Sequence, residues 1–230
     1  CQVYKDPSKA DKKIKAAIQK TAGMILTWDQ QPINTVYHAT NGGVMASVDE
    51  AWSINPVPYL QMRLDGPKYW TSKVDLPLSN EKYLKSFLFT ESKAFGSDHP
   101  LFRWERSLDS HQISKQLNQA KKASKSFYPV KIHAASRGSS GRVTSLKIKG
   151  NNDSEILLKL DDIRRVLRQL PSTLFVVKEI KEGKWIFLGG GFGHGAGMSQ
   201  SGAIELAKNG WTTKQILSHY YPKTQYGFLP

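Results

Sequence analysis

The glycine-rich stretch near the C-terminus constrains the fold more than any other part of this sequence. Residues 189–203 read GGGFGHGAGMSQSGA, with glycine at every odd position from Gly189 to Gly197 and a single histidine, His194, between them. Glycine reaches backbone conformations that other residues avoid, and it lets another chain approach closely. After Gly197 the residues become helix-compatible, with Ser199 as a suitable N-cap. The stretch therefore predicts a loop between a strand and a helix.

Three functional interpretations of this stretch compete with a structural one. A dinucleotide loop needs G-x-G-x-x-G and a P-loop needs G-K-[ST], and the stretch matches neither. A metal site needs further ligands near His194, and none lies at ligand spacing. In the third interpretation the glycines form a groove floor against which a flat polymer lies, with His194, Ser199 and Gln200 supplying polar groups. The structural alternative is close packing of two elements, with His194 bonded to a buried carbonyl.

A second glycine-containing turn changes this balance. Residues 37–43 read YHATNGG, and Asn-Gly-Gly permits positive φ, so that a strand can turn sharply with its backbone amides facing outward. This turn carries another histidine, His38. Either histidine alone is more often a satisfied structural residue, but two on glycine-flanked turns favour a binding site.

The remaining patterns predict an α+β fold with a mixed, largely antiparallel sheet, hairpins and short helices. Apolar periodicity, caps and turn residues place helices at residues 11–22, 114–126 and 160–170. They also predict a hairpin of strands 24–28 and 33–38, a strand pair of 142–150 with 155–160, and a hairpin over 174–190. Residues 52–104 read as loops and short helices. The chain ends as strand, glycine loop, helix, helix, with a capping box from Thr212 to Gln215 in the last helix.

Charge narrows the choice of partners. The chain has 33 Lys and Arg against 19 Asp and Glu, a net charge of +14, and residues 111–150 hold nine basic residues and no acidic one. Such a surface attracts polyanions without identifying them. Nucleic acid is disfavoured because the basic stretch lacks a recognisable helix-turn-helix or the aromatic pattern of a single-strand platform. No run of about 18 apolar residues predicts a membrane span.

Taken together, YHATNGG and GFGHGAGMSQSGAIELAKNGWTTKQILSHYYP resemble the bacterial sporulation-stage-II protein D and amidase-enhancer LytB domain. Members of that family typically read Y-H-[AS]-T-[SN]-G-G and G-x-G-H-G-x-G-M-S-Q-x-G-A. Supporting pieces are CQVY at the start, AWSINPVPYLQ, RGSSGRVTSLKIKG and IRRVLRQLPSTLF. They occur in the family's order over nearly the whole chain.

The resemblance implies an extracytoplasmic protein of the bacterial cell envelope that binds and cleaves peptidoglycan glycan strands. Members of the sporulation branch are lytic transglycosylases that leave a 1,6-anhydro end. The alternative is a non-catalytic glycan-binding module that stimulates a cell-wall amidase. In either case no cofactor is implied. The expected substrate-binding residues are Tyr37, His38, Thr40, Asn41, Gly42, Gly43, Gly193, Gly195, Ser199 and Gln200, and His194 is expected to position the substrate or the acid.

The sequence departs from the family in one respect. The family's catalytic Glu lies upstream of the CQVY motif, so we expect residues 1–230 to form a single domain that lacks the N-terminal part and the acid. We also expect a basic sub-lobe at about residues 60–150, and membrane anchoring only through segments beyond this sequence. Some members bind zinc through Cys and His near the N-terminus; with only Cys1 present we expect no metal. Asp49, Glu50 and Glu205 are interpreted as surface or capping residues.

Overall fold

The computed structural model describes Asp6, Ser8 and residues 10–151 and 153–228. The CQVY motif at residues 1–4 therefore lies outside the described residues. Within them the chain is α+β, with short helices and small, mostly antiparallel sheets, as the sequence predicts.

Seven α-helices occur in the described part of the chain. They are α1 (Lys12–Lys20), α2 (Lys68–Thr71), α3 (Glu81–Phe89), α4 (Ser110–Gln119), α5 (Asp162–Val166), α6 (Gln200–Lys208) and α7 (Thr213–Tyr220). The strands are β1 (Met24–Trp28), β2 (Gln31–Pro32), β3 (Tyr37–His38), β4 (Val44–Met45), β5 (Arg63–Leu64), β6 (Arg103–Asp109), β7 (Pro129–Arg137), β8 (Val143–Gly150), β9 (Glu155–Lys159), β10 (Phe175–Lys181), β11 (Lys184–Gly190), β12 (Met198–Ser199) and β13 (Gln225–Phe228).

Contacts divide the described residues into two compact units. The smaller unit comprises described residues up to Thr35 and from Lys223 onward. Its sheet has the order β13-β1-β2, and the turn between β1 and β2 uses positive φ at Asp29 and Gln30. Helix α1 begins at the N-cap Asp11, whose side chain accepts a bond from the Ile14 amide.

The larger unit, Val36–Pro222, contains two three-stranded antiparallel sheets, β10-β11-β6 and β7-β8-β9. Their main apolar cluster is shared with α4, α5 and the segment after α5. Its fully buried members include Trp185, Phe187, Phe175, Leu146 and Ile163. This cluster is large enough to fix the two sheets, and β11 runs directly from it into the glycine stretch.

Local signals in the sequence place most of these elements correctly. The predicted hairpin over 174–190 is β10 and β11, with Lys181 opposite Lys184, and β8 pairs with β9 as expected. Ser199 caps α6 by accepting a bond from the Gly202 amide, and α6 is followed by Gly210 at positive φ. The predicted capping box between Thr212 and Gln215 opens α7.

Several predictions about boundaries and pairing are wrong. The Lys-rich helix was expected at 114–126, but α4 begins at Ser110, because Asp109 and Gln112 form a capping box there. The predicted hairpin pairs β1 with residues 33–38, but in the structure β1 pairs with β2 (Gln31–Pro32) and, over more residues, with β13. Strand β7, which pairs along most of β8, was not predicted at all.

Candidate functional site

The structure brings the two glycine-containing motifs together. Strand β3 pairs in parallel with β12, so that Tyr37 lies opposite Met198 and His38 opposite Ser199. An antiparallel bridge joins Thr40 to Phe192. The YHATNGG turn and the glycine stretch therefore lie side by side, although about 150 residues separate them in the sequence.

The alternating glycines are required by this close approach. Gly191, Gly193, Gly195 and Gly197 all have φ between +73° and +112°. A Cβ at Gly193 would lie 2.7 Å from the Cβ of His38, and one at Gly197 would lie 2.1 Å from the carbonyl oxygen of Val36. Because protein fills the space where these side chains would be, the interpretation as an open groove floor is wrong for these positions. Close packing, the structural alternative, explains them.

His194 is held at both ring nitrogens. Its Nδ1 accepts a bond from the Ala196 amide at 3.2 Å, so Nε2 carries the proton and donates to the carbonyl oxygen of Tyr37 at 2.9 Å. Burial lowers the pKa of His194 to about 4. The ring is therefore neutral near pH 7 and rigidly oriented, and no ring nitrogen is left to exchange a proton with a substrate.

The face of His194 meets an aromatic side chain. Its ring centroid lies 4.6 Å from that of Trp52 and 5.3 Å from that of His38. Trp52 and His194 are both partly exposed, and Phe192 and Gln200 on the same stretch are exposed. Together these four side chains, which we call the Trp52–His194 surface, present aromatic faces and polar groups to solvent.

His38 is buried beneath this surface. Its Nδ1 lies 3.1 Å from the carbonyl oxygen of Ala196, which can only accept, so Nδ1 carries the proton. Its Nε2 has no hydrogen-bond partner among the described residues. Burial lowers the pKa of His38 well below its usual range, and the neighbouring His194 and Arg142 lower it further. His38 therefore supports the site as a neutral ring.

These two histidines make the native state sensitive to acid. In the unfolded chain each binds a proton near pH 6.5, whereas in the folded chain burial lowers the pKa of His194 to about 4. Between these two pKa values the unfolded state binds more protons than the folded state. The contribution of neutral His194 to the free energy of unfolding is therefore complete above the unfolded pKa and is lost as the pH falls toward the folded pKa. We expect His194 alone to lower the free energy of unfolding by about 3 kcal/mol between about pH 7 and pH 4. Urea titrations at several pH values measure this.

The His194→Gln variant isolates that contribution, because glutamine does not titrate. Its free energy of unfolding should lie below that of the wild type near pH 7, and the difference should shrink as the pH approaches about 4. A difference that stays constant over this range would contradict the assignment of a neutral, buried His194.

A buried arginine contacts both motifs. Arg142 is fully buried, and its Nη2 donates to the carbonyl oxygens of Asn41 at 3.0 Å and Val44 at 3.2 Å. Its guanidinium covers Gly195, where a Cβ would lie 2.1 Å from Nη2. Burial lowers the pKa of Arg142 to about 10, so the side chain remains charged near pH 7. Arg142 therefore fixes the YHATNGG turn against the glycine stretch.

Glu50 differs from its sequence interpretation as a surface residue. It is 4% exposed, and its carboxylate accepts bonds from the Ser139 hydroxyl and from the amide and hydroxyl of Ser140. It thereby holds the loop that precedes Arg142. Asp49, in contrast, is exposed as predicted, and Glu205 is partly buried, with its carboxylate accepting a bond from the Gly96 amide.

Residues 40–43, the TNGG end of the YHATNGG turn, form a tight turn that we call the TNGG turn. Asp65 anchors it. Asn41 donates from Nδ2 to Oδ2 of Asp65 at 2.6 Å, and its own Oδ1 accepts from the Gly43 amide at 2.8 Å. His219 and Tyr220 of α7 bond the same buried carboxylate at 2.8 and 3.1 Å. The prediction that the turn's amides face outward is wrong, because the amides of Gly42 and Gly43 are buried and bonded to side chains within the turn.

The predicted site residues thus fall into two sets. Gln200 is exposed, and Tyr37, Gly193 and His194 are partly exposed. The buried set, which shapes the turns, comprises His38, Thr40, Asn41, Gly42, Gly43, Gly195 and Ser199. Sequence reasoning missed Trp52 and Arg142 as site residues, although both lie in segments, AWSINPVPYLQ and RGSSGRVTSLKIKG, that carry the family resemblance.

The basic stretch over residues 111–150 is less uniform than its sequence suggests. Arg142 is fully buried, and Arg137 is partly buried, donating to the carbonyl oxygens of Gly141 and Phe175. Three of its lysines form exposed ion pairs: Lys122 with Asp162, Lys147 with Glu155 and Lys149 with Asp153. Its surface charge is therefore smaller than the count of nine basic residues implies.

Two further features concern metals and membranes. Within residues 10–151 and 153–228, together with Asp6 and Ser8, no group of three or more His, Cys, Asp or Glu side chains is arranged to hold a metal ion. Over the same residues no helix combines the length and apolar character that crossing a membrane requires.

Comparisons with known proteins identify the family. A family model described as Domain of unknown function (DUF8618) matches residues 46–197. The chain is 29% identical to the amidase enhancer of Bacillus subtilis (strain 168), covering 90% of this chain and 32% of that protein. It is 30% identical to stage II sporulation protein D of the same strain, covering 93% of this chain and 51% of that protein. Stage II sporulation protein D of Bacillus amyloliquefaciens is 29% identical over 96% of this chain and 56% of its own length.

The chain spans between about a third and somewhat over half of the length of these relatives. The matches nevertheless cover nearly all of this chain, including both motifs from which the site is built. The chain belongs to the family described as Domain of unknown function (DUF8618), and over nearly all of its length it is similar to stage II sporulation protein D and the amidase enhancer.

Proposed function

We propose that this chain is a domain that binds peptidoglycan glycan strands during cell-wall remodelling in the bacterial cell envelope. The observation that carries the proposal is the Trp52–His194 surface. His194 is fixed by two hydrogen bonds, its ring contacts Trp52, and Phe192 beside it is 43% exposed. Aromatic side chains with polar edges offer an apolar face and hydrogen-bonding groups together. A pyranose ring has matching C–H faces and hydroxyl groups.

The relatives support a role at the cell wall. Their names are amidase enhancer and stage II sporulation protein D. These names support our proposal that the chain acts on the extracytoplasmic side of the bacterial envelope.

The finer proposal is that the complete protein is a lytic transglycosylase. This reaction cleaves between N-acetylmuramic acid and N-acetylglucosamine, and the sugar's own 6-hydroxyl attacks to give a 1,6-anhydro end. One carboxylic acid suffices, first to protonate the leaving oxygen and then to assist as a base. Ordinary glycoside hydrolysis instead divides the work between two carboxylates.

The described residues supply positioning groups for such a reaction. His194 is neutral and engaged at both nitrogens, and the carboxylates of Glu50 and Asp161 are occupied by hydroxyl, amide and guanidinium donors. We therefore propose that His194 orients the strand or the acid. The acid itself would come from outside the described residues.

A second candidate function is stimulation of a cell-wall amidase without cleavage of the glycan. The relative named amidase enhancer, which matches 90% of this chain, favours it. In that case the same surface would hold the strand while the amidase acts on it. Both candidates require glycan binding, and they differ in whether the glycan backbone is cut.

Glycan retention tests the shared part of the proposal. Purified glycan strands should bind the wild type. Trp52→Ala should raise the dissociation constant by roughly tenfold or more, because it removes the aromatic face beside His194. Trp211→Ala is the matched control. Trp211 is exposed, and it contacts Phe95 and His219 rather than the Trp52–His194 surface. Equal binding by the wild type and Trp52→Ala would overturn the assignment of this surface.

The same incubations separate binding from cleavage. Mass spectrometry of the strands should find no 1,6-anhydro-muramyl ends with residues 1–230 alone, because no available acid lies beside His194 in the described residues. Retention without new ends would fit the positioning role. Appearance of anhydro ends would show that an acid is available within this chain, contrary to the proposal.

A further inference from the structure

A cavity lined by arginines adjoins the Trp52–His194 surface at Phe192. Its volume is about 310 Å³, close to the lower limit for ligand-binding cavities. Its lining includes apolar residues, no Asp or Glu, and four arginines: Arg106, Arg164, Arg165 and Arg168. We call this cavity the arginine pocket. None of its arginines lies in the basic stretch over residues 111–150.

The arginine pocket is continuous with the glycine stretch. Phe192 lines the pocket and also belongs to the Trp52–His194 surface. The next residue, Gly193, donates from its amide to the carbonyl oxygen of Pro171 at 3.0 Å, and Pro171 is itself a lining residue. A polymer lying across His194 could therefore extend one of its groups into the pocket without leaving the surface.

The arginines differ in how far they are already neutralised. Arg164 and Arg165 both bond the buried carboxylate of Asp161, at 2.5 and 2.9 Å. Arg106 and Arg168 form no ion pair with a carboxylate among the described residues; Arg106 donates only to the carbonyl oxygen of Glu105. The pocket thus keeps uncompensated positive charge on two planar guanidinium groups, whose geometry suits a carboxylate.

We propose that the arginine pocket binds a carboxylate carried by the glycan strand that lies on the Trp52–His194 surface. This inference rests on the proposed glycan binding. A ligand that combines an apolar face with an oxyanion fits the mixed lining, since Phe192, Leu101 and Leu170 contribute apolar contact and the arginines contribute charge-assisted hydrogen bonds. A muramyl unit offers both, with its carboxylate either on the lactyl group or on an attached peptide.

The test compares strands with free carboxylates and strands whose carboxylates are amidated with carbodiimide and methylamine. The wild type should bind the free form about tenfold more tightly than the amidated form, as expected for one charge-assisted pair. The double variant Arg106→Gln/Arg168→Gln should bind both forms equally, at the level of the wild type with amidated strands. Arg164 and Arg165 are left intact because their loss would leave the buried carboxylate of Asp161 without an ion-pair partner.

The control is Lys82→Gln on α3, an exposed lysine that forms no ion pair among the described residues. It removes a positive charge outside the pocket and should keep the full preference for free carboxylates. Strands with and without attached peptide, each in free and amidated form, identify which carboxylate is bound. If the wild type prefers the free form of either kind of strand and the double variant has lost that preference, the proposal is supported.

Other outcomes separate the inference from the proposed function. A wild type that binds free and amidated strands equally, or a double variant that retains the preference, overturns the arginine pocket as the carboxylate site and leaves glycan binding intact. A wild type that binds neither form overturns the proposed function. Binding of polyphosphate that the double variant loses, with no preference among glycans, would assign the pocket to a phosphate polymer and overturn the proposal.

Discussion

Asp65→Ala is expected to lower the free energy of unfolding by about 4 kcal/mol. The carboxylate of Asp65 is fully buried and accepts hydrogen bonds from Asn41, His219 and Tyr220 at 2.6, 2.8 and 3.1 Å. Alanine would leave three donors without their acceptor, two of them on α7. Each unsatisfied buried donor costs roughly 1–3 kcal/mol, and repacking around the smaller side chain recovers only part of this.

Urea unfolding near pH 7 measures the effect, with Glu81→Ala as the matched control. Glu81→Ala also removes a carboxylate that forms an ion pair, here with Lys85, but both side chains of this pair are more than half exposed. Exposed pairs of this kind contribute about 0–1 kcal/mol. A cost for Asp65→Ala no greater than that for Glu81→Ala would show that the buried network does not hold the TNGG turn.

Asp65→Ala should also disturb the geometry of the Trp52–His194 surface. Asp65 connects the TNGG turn to α7, and the amide of Asp65 donates to the carbonyl oxygen of Gly43 at 2.9 Å. Asn41 is at the same time bonded to Arg142 through its carbonyl oxygen. The orientation of the turn, and with it the bond from His194 to Tyr37, depends on this chain of buried polar contacts.

The sequence predicts well those elements whose signals are local. The caps, glycine stop and capping box of helices α6 and α7 all lie between Ser199 and Gln215, and the β10–β11 hairpin has short apolar runs on either side of the turn at Gly183. Each signal acts on neighbours in the chain, so no tertiary contact is needed to interpret it.

The sequence predicts poorly what depends on distant partners. Strand β7 has few apolar residues in regular alternation and is ordered by its pairing with β8. Arg142 and Glu50 read as surface residues because charged side chains are seldom fully buried. Glu50 is buried against the loop that contains Ser139 and Ser140, and Arg142 is buried against the YHATNGG turn. Neither contact can be predicted from spacing along the chain.

The glycine stretch shows the same distinction at a single motif. The sequence pattern correctly indicated that the glycine stretch and the YHATNGG turn contribute to one site. It favoured a bound polymer, rather than close packing of the protein, as the reason for the glycines. In the structure the space beside Gly191 is filled by the backbone of Asn41, and that beside Gly195 by Arg142. Sequence alone could not separate space kept for a polymer from space filled by the protein.

Gly197→Ala should therefore destabilise the chain by about 4 kcal/mol, although it adds one methyl group. Gly197 has φ +73°, and its Cβ would lie 2.1 Å from the carbonyl oxygen of Val36. That oxygen accepts bonds from the Met198 amide at 3.2 Å and the Tyr221 hydroxyl at 2.7 Å. Relieving the clash must move a backbone carbonyl and weaken both bonds, beside the pairing of β3 with β12.

Gly210→Ala separates the steric cost from the conformational one. Gly210 also has positive φ, at +84°, but nothing lies within 4 Å of its added Cβ, so only the strain of a left-handed alanine remains, about 1 kcal/mol. Urea unfolding of both variants should give a difference of about 3 kcal/mol. If Gly197→Ala cost no more than Gly210→Ala, the space beside Gly197 would be open, and the groove floor would again explain the alternating glycines.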